Sequence, residues 1–230
     1  YPSMTRVWSD EFDGNSIDMS NWTHEVGDEW FNNELQAYSA DPIYSSVADG
    51  KLSITAREEN GSYTSARMIT QDKYEFQYGR IDIRAKLPKG QGIWPALWML
   101  GANINEVSWP QCGEIDIMEL VGHEPNVTHG TAHYDNNGHQ YRGSGKTLDS
   151  GEFADQFHVF SVIWTRESLS WYLDGESFLT FREEDIDGFP FNAPYFFIMN
   201  VAVGGDWPGN PDASTVFPQT MEIDYLRVFQ

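Results

Sequence analysis

Arg80-Ile81-Asp82-Ile83-Arg84-Ala85-Lys86-Leu87 alternates charged and apolar side chains without a break. Successive side chains of a strand point to opposite faces, so this octet reads as a strand with Ile81, Ile83, Ala85 and Leu87 inward and its charges outward. The same period recurs at Leu52, Ile54 and Ala56, which alternate with Ser53, Thr55 and Arg57. Further strands are expected over Val7–Phe12, Ala66–Thr70, Trp94–Leu100, Glu114–Leu120, His129–Tyr134, His158–Thr165, Leu169–Asp174, Tyr195–Ala202 and Met221–Phe229. Asp174-Gly175 suits a tight hairpin turn, and a short helical turn is expected near Glu183–Ile186. About a dozen strands with almost no helical period imply an all-β fold, most simply a β-sandwich jelly roll of two antiparallel sheets.

The 230 residues, 40% hydrophobic, suffice for one sizeable core, and no repeat or linker divides them, so a single domain over 1–230 is expected. No run of eighteen apolar residues and no signal-peptide pattern occurs, so the chain reads as soluble and already processed, with no membrane insertion. Fourteen Lys+Arg against 35 Asp+Glu give a formal charge of -21, a field that repels nucleic acid, anionic lipid and polyanionic substrates. A neutral partner is the reading that fits. The single cysteine, Cys112, leaves no intrachain disulfide and reads as a small buried hydrophobe.

Chemistry concentrates in Gly113-Glu114-Ile115-Asp116-Ile117-Met118-Glu119-Leu120. Strict alternation places Glu114 and Asp116 on one face and sends Glu119 into the core. One extra residue, a β-bulge near Met118, returns Glu119 to the acidic face. Three carboxylates crowded on one face repel one another unless one keeps a proton, and that split is what an acid and nucleophile pair requires. The competing reading is a solvent-facing acidic strand.

Aromatic residues tilt the balance: nine Trp, 11 Tyr and 14 Phe, many in polar surroundings. Trp94 and Trp98 share a strand face, Trp109 lies just before the glutamates and Trp207 sits in a Gly-rich loop, all suited to stacking on sugar rings. Gly143-Ser144-Gly145-Lys146-Thr147 ends like a phosphate-binding loop, but Gln140 stands where its first glycine belongs. His129 and His133 have the spacing of a helical zinc pair, yet in a strand they stand roughly 13 Å apart. His133 alone is a candidate for lining a cleft.

Glu114-Ile-Asp-Ile-Met-Glu119 resembles the Glu-x-Asp-x-x-Glu signature of glycoside hydrolase family 16, in its bulge-containing branch. The likeness extends through Asp10-Glu11-Phe12, Asn33-Glu34-Leu35-Gln36, Gly92-Ile-Trp-Pro-Ala-Leu-Trp98, His129-Gly-Thr-Ala-His133, Asn200-Val-Ala-Val-Gly-Gly205 and Asp224-Tyr-Leu-Arg-Val-Phe229. Within that family the pattern is most similar to laminarinases, endo-1,3-β-glucanases. Two positions depart from it: Ala66 precedes Arg67 where glycine is common, and Asp206 replaces a frequent Asn.

The resemblance implies that the jelly roll's two sheets are curved, with an open substrate cleft and retaining double displacement, with Glu114 the nucleophile, Asp116 the neighbour that tunes it and Glu119 the general acid/base. Retention requires the two carboxyl groups to converge to roughly 5–5.5 Å. Trp94, Trp98 and Trp109 would wall the subsites, while Asn33, Arg67 and His133 would hydrogen-bond sugar hydroxyls. No cofactor is implied for catalysis. A structural calcium is, held by main-chain oxygens of Glu11 and Gly50 and the Asp224 carboxylate. The implied partner is a neutral β-glucan, met by a secreted or cell-surface monomer. The same cleft could serve mixed-linkage glucan, agarose or a sulfated galactan, transglycosylation, or, in another class, non-catalytic glucan recognition.

Overall fold

The computed structural model describes residues 3–186 and 189–230. In chain order its strands are β1 (Arg6–Asp10), β2 (Thr23–Glu25), β3 (Gln36–Tyr38), β4 (Ser45–Ala48), β5 (Lys51–Glu59), β6 (Ser62–Ser65), β7 (Arg67–Ile69), β8 (Gly79–Lys86) and β9 (Ile93–Gly101). They continue with β10 (Glu114–Glu119), β11 (Val127–Asp135), β12 (His139–Thr147), β13 (His158–Trp164), β14 (Ser168–Leu173), β15 (Glu176–Arg182), β16 (Tyr195–Val203) and β17 (Gln219–Phe229). A four-residue helix, α1 (Ile104–Val107), and a 3-10 turn at Glu183–Asp185 complete the regular structure. No described helix is long and apolar enough to cross a membrane.

A ten-stranded sheet runs β15-β14-β13-β8-β17-β5-β6-β3, with β1 beside β17 and β4 beside β5. A seven-stranded sheet runs β12-β11-β10-β9-β16-β7-β2. All pairings are antiparallel except β3 with β6. The alternating octet is Arg80–Lys86 of β8 plus Leu87, central in the larger sheet, with Ile81, Ile83 and Ala85 fully buried and Asp82 held by Arg80 at 2.8 Å. Leu52, Ile54 and Ala56 join them in the core, as do Ile115 and Ile117 from the facing sheet. All nine residues of β16 are buried, because one face meets that core and the other meets a smaller apolar cluster formed with Ile69, Leu100 and Cys112. A strand covered on both sides carries no polar alternation.

The Asp174-Gly175 turn joins β14 to β15, with both residues at positive φ, as a type I′ hairpin demands. Cys112 is buried, and burial pushes its thiol up to about 11, so it is a packing residue. The stretch that imitates a phosphate loop lies within β12, an exposed edge strand. Strands β2, β3, β4, β6, β12 and β15 lie outside the segments expected from the sequence.

Candidate active site

The bulge in β10 is real and sits where Glu119 requires it. Against β9, Asp116 pairs with Trp98 and Glu119 with Ala96, three residues answering two, and the register slips again against β11. Ile117 and Met118 therefore both turn into the core, and Glu119 emerges on the face that carries Glu114. The opposite sheet fixes the slip from behind: the buried Trp171 indole of β14 donates to the main-chain oxygen of Asp116 at 2.8 Å. Gly130 on β11 makes room for it, since a Cβ there would overlap that indole.

The outer face of the seven-stranded sheet forms a cleft of about 950 Å³ whose lining spans the sheet from Glu25 on β2 to Tyr141 on β12. Six interstrand spacings make that width roughly 29 Å. Glu114 and Glu119 lie on its floor, and each accepts an indole N–H: Trp109 Nε1 to Glu114 Oε2 at 2.7 Å, and Trp94 Nε1 to Glu119 Oε1 at 3.1 Å. Trp207 packs edge-on to Trp94, with ring centroids 5.7 Å apart.

Trp98 donates to Asn200 Oδ1 at 2.7 Å. Arg67 stacks over Trp98 and over Trp30, 4.9 and 5.1 Å from the ring centroids, with its Nε paired to Glu25, so a fixed cation lies beside the aromatic floor. Asn33 is outside the cleft lining; its amide donates to Asp206 Oδ1 at 2.8 Å and ties two loops, while Asn32 and Phe31 face the cleft instead. Ala66, at the position where the family favours glycine, is fully buried in the core.

His133 stands across the ladder from Glu114, with Nε2 3.8 Å from Glu114 Oε1 and 3.2 Å from Asp116 Oδ2. Its Nδ1 meets His139 Nε2 at 2.8 Å. Glu114, Asp116 and His133 could together hold a metal ion, each offering one ligand atom within 4.8 Å of the others. His129 is the cross-strand partner of Glu119, and its ring packs edge-on against Trp207. Trp30, Phe31, His139 and Tyr141 are not singled out by sequence, and His129 enters there only through its spacing from His133. Only ladder register brings the histidines here; the spacing of His129 and His133 excludes a shared zinc on a strand but does not reveal what each faces.

Burial raises all three carboxyls of β10; repulsion adds to it for Glu114 and Glu119, whereas a hydrogen bond with Glu114 opposes it at Asp116, which is pushed up to about 7. Glu114 is pushed up to about 8, first by burial and then by Asp116, with His133 and the Trp109 N–H opposing. Glu119 is driven well above its usual range, first by burial and then by the charges of both Asp116 and Glu114. The cluster titrates as a unit, and the group that both neighbours push upward is the one that keeps its proton. Once Glu114 ionises, the arrangement supplies a carboxylic acid at Glu119 and a carboxylate at Glu114 facing one groove.

The model of glycosyl hydrolases family 16 matches residues 31–227. A beta-glucanase of Rhodothermus marinus is 40% identical over 251 residues, spanning 100% of this chain and 86% of its own length. A glucan endo-1,3-beta-glucosidase A1 of Niallia circulans is 37% identical over 259 residues; 99% of this chain is covered, but the chain spans only 38% of that relative. The solved laminarinase catalytic domain of Thermotoga maritima superposes with a TM-score of 0.92 at 44% identity, covering 99% of this chain and 98% of that one.

Proposed function

The chain belongs to glycosyl hydrolases family 16, and from that premise we propose that it is an endo-acting, retaining glycoside hydrolase that cuts internal β-1,3 linkages of a laminarin-type β-glucan. The observation that carries this reading is the bulge that turns Glu114 and Glu119 into one groove, each beside an indole donor. Glu119 delivers its proton to the glycosidic oxygen as Glu114 attacks the anomeric carbon, so the C–O bond breaks and a glycosyl ester forms. Glu119, now a carboxylate, takes a proton from water as that water attacks the same carbon and frees Glu114. Two inversions leave the β configuration.

Asp116 lies between the two glutamates along β10 and is buried. Its role is electrostatic: its charge state and its contact with Glu114 set which carboxyl ionises. A lining that crosses the whole sheet admits several sugar residues on either side of the carboxylates, the shape endo cleavage needs. The -21 charge suits a neutral glucan. A polymer of this size is met outside the cell, so a secreted or cell-surface monomer is part of the proposal.

The calcium belongs to the same reading. The Glu11 carboxylate is occupied by Arg227 and Arg6, leaving its main-chain oxygen for a cation. Asp224 gives Oδ2 to Arg84 at 2.6 Å and retains its other oxygen. With Gly50 in an open turn, the donors are all oxygens, the set a hard cation takes. Calcium there would tie β17 to the β4–β5 turn, and chelation should lower Tm in the native chain but not in Asp224→Ala.

A reducing-end assay on laminarin, curdlan, lichenan and agarose tests the activity. New ends and shortening chains from laminarin are expected. Retention of laminarin without new ends, or release from agarose alone, would refute it.

A further inference from the structure

The geometry points to a second use of this site: we propose that Glu114, Asp116 and His133 bind a single borderline divalent transition ion of the zinc type, which closes the cleft to substrate. Asp116 is 2% exposed, and its Oδ2 has no hydrogen-bond partner although it faces His133 Nε2 at 3.2 Å. A buried carboxylate oxygen left this way is costly unless a proton or a cation completes it. The Trp109 N–H takes Glu114 Oε2, which leaves Oε1 for the ion, 3.8 Å from the same imidazole nitrogen.

Ligands 2.0–2.1 Å from tetrahedral zinc lie about 3.3 Å from one another. The two His133 separations, 3.2 and 3.8 Å, already lie near that spacing, all three ligand atoms lie within 4.8 Å of one another, and the fourth position opens on the cleft. His139 already does what an orienting partner of a ligating histidine does, because its Nε2 faces His133 Nδ1 at 2.8 Å and turns Nε2 of His133 toward the carboxylates. Two carboxylates and a neutral imidazole balance a dication, replacing mutual repulsion by attraction. The mixed nitrogen and oxygen set favours zinc or copper over calcium or magnesium, which seek six or more oxygens. Bound there, the ion occupies the nucleophile and blocks attack on the anomeric carbon.

Zinc chloride titrated into the calcium-loaded chain and followed by calorimetry tests this without any assay of turnover, so the result does not depend on which glucan is cut. One ion per chain is expected, not matched by added magnesium. His133→Gln should abolish that binding, and His139→Ala, at an exposed position, should weaken it roughly 10- to 100-fold. In the activity assay zinc should then inhibit, with relief by a chelator in excess calcium. No binding at one equivalent, or affinity unchanged in His139→Ala, overturns the proposal even if His133→Gln fails to fold.

Discussion

The indole N–H of Trp109 donates to Oε2 of Glu114 at 2.7 Å, a contact made by a loop residue five positions before the carboxylate it serves. That bond favours the ionised form of Glu114 against burial and the charge of Asp116, which both oppose it. Trp109→Phe keeps the ring and removes the donor. A hydrogen bond to a charged group contributes about 1.5–3 kcal/mol, so kcat/KM should fall roughly tenfold to a hundredfold. The acid limb of the pH profile should also move to higher pH.

The same carboxyls should weaken the fold as pH rises. Glu114 has a folded pKa raised above its unfolded one, so its contribution is fully present below the unfolded value and is lost as pH climbs through about 8. Glu114→Gln, which can still accept from Trp109, should therefore be more stable than the native chain at pH 8–9 by on the order of 1–3 kcal/mol, and indistinguishable near pH 4. Thermal melts across that range check the sign.

Azide separates the two roles. Glu119→Ala should still form the glycosyl ester from a substrate with a good leaving group, and azide should speed its breakdown to a β-glycosyl azide. Glu114→Ala should use azide in place of the nucleophile and give the α-glycosyl azide. Exchange of these two outcomes would exchange the assignments.

Trp207 packs on Trp94, and Trp98 donates to Asn200 rather than to Glu114 or Glu119, so removing either should act on binding. An aromatic stacking contact adds about 0.5–1.5 kcal/mol beyond its buried area, and Trp207→Ala should raise KM several-fold while changing kcat less. Equal falls in kcat and kcat/KM would place Trp207 in the transition state instead.

What the sequence made legible follows from burial. Strand β8 has one face in the core and one outside it, so its pattern alternates, and β16 is apolar except for Asn200 because one face lies in the core and the other forms the apolar floor of the cleft. Strand β12 has neither property: His139–Thr147 is polar, carries Gly143 and Gly145, and is exposed along most of its length. The bulge could be inferred because an inward Glu119 would be an unpaired charge in the core. The His133–His139 contact and the place of His129 opposite Glu119 depend on which residues face each other across ladders. Asn33 shows the same limit, since Asp206, 173 positions away, takes its amide.

In the proposed double displacement Glu114 becomes covalently attached to sugar. A laminaribiosyl fluoride carrying fluorine at C2 of the reacting ring slows both steps but the second more, so the glycosyl ester accumulates and can be digested and mapped by mass spectrometry. One inhibitor-derived sugar is expected on the peptide containing Glu114, at that residue, with normal hydrolysis releasing the β-anomer first. A label on Glu119 or elsewhere, or initial release of the α-anomer with no label at all, would contradict it.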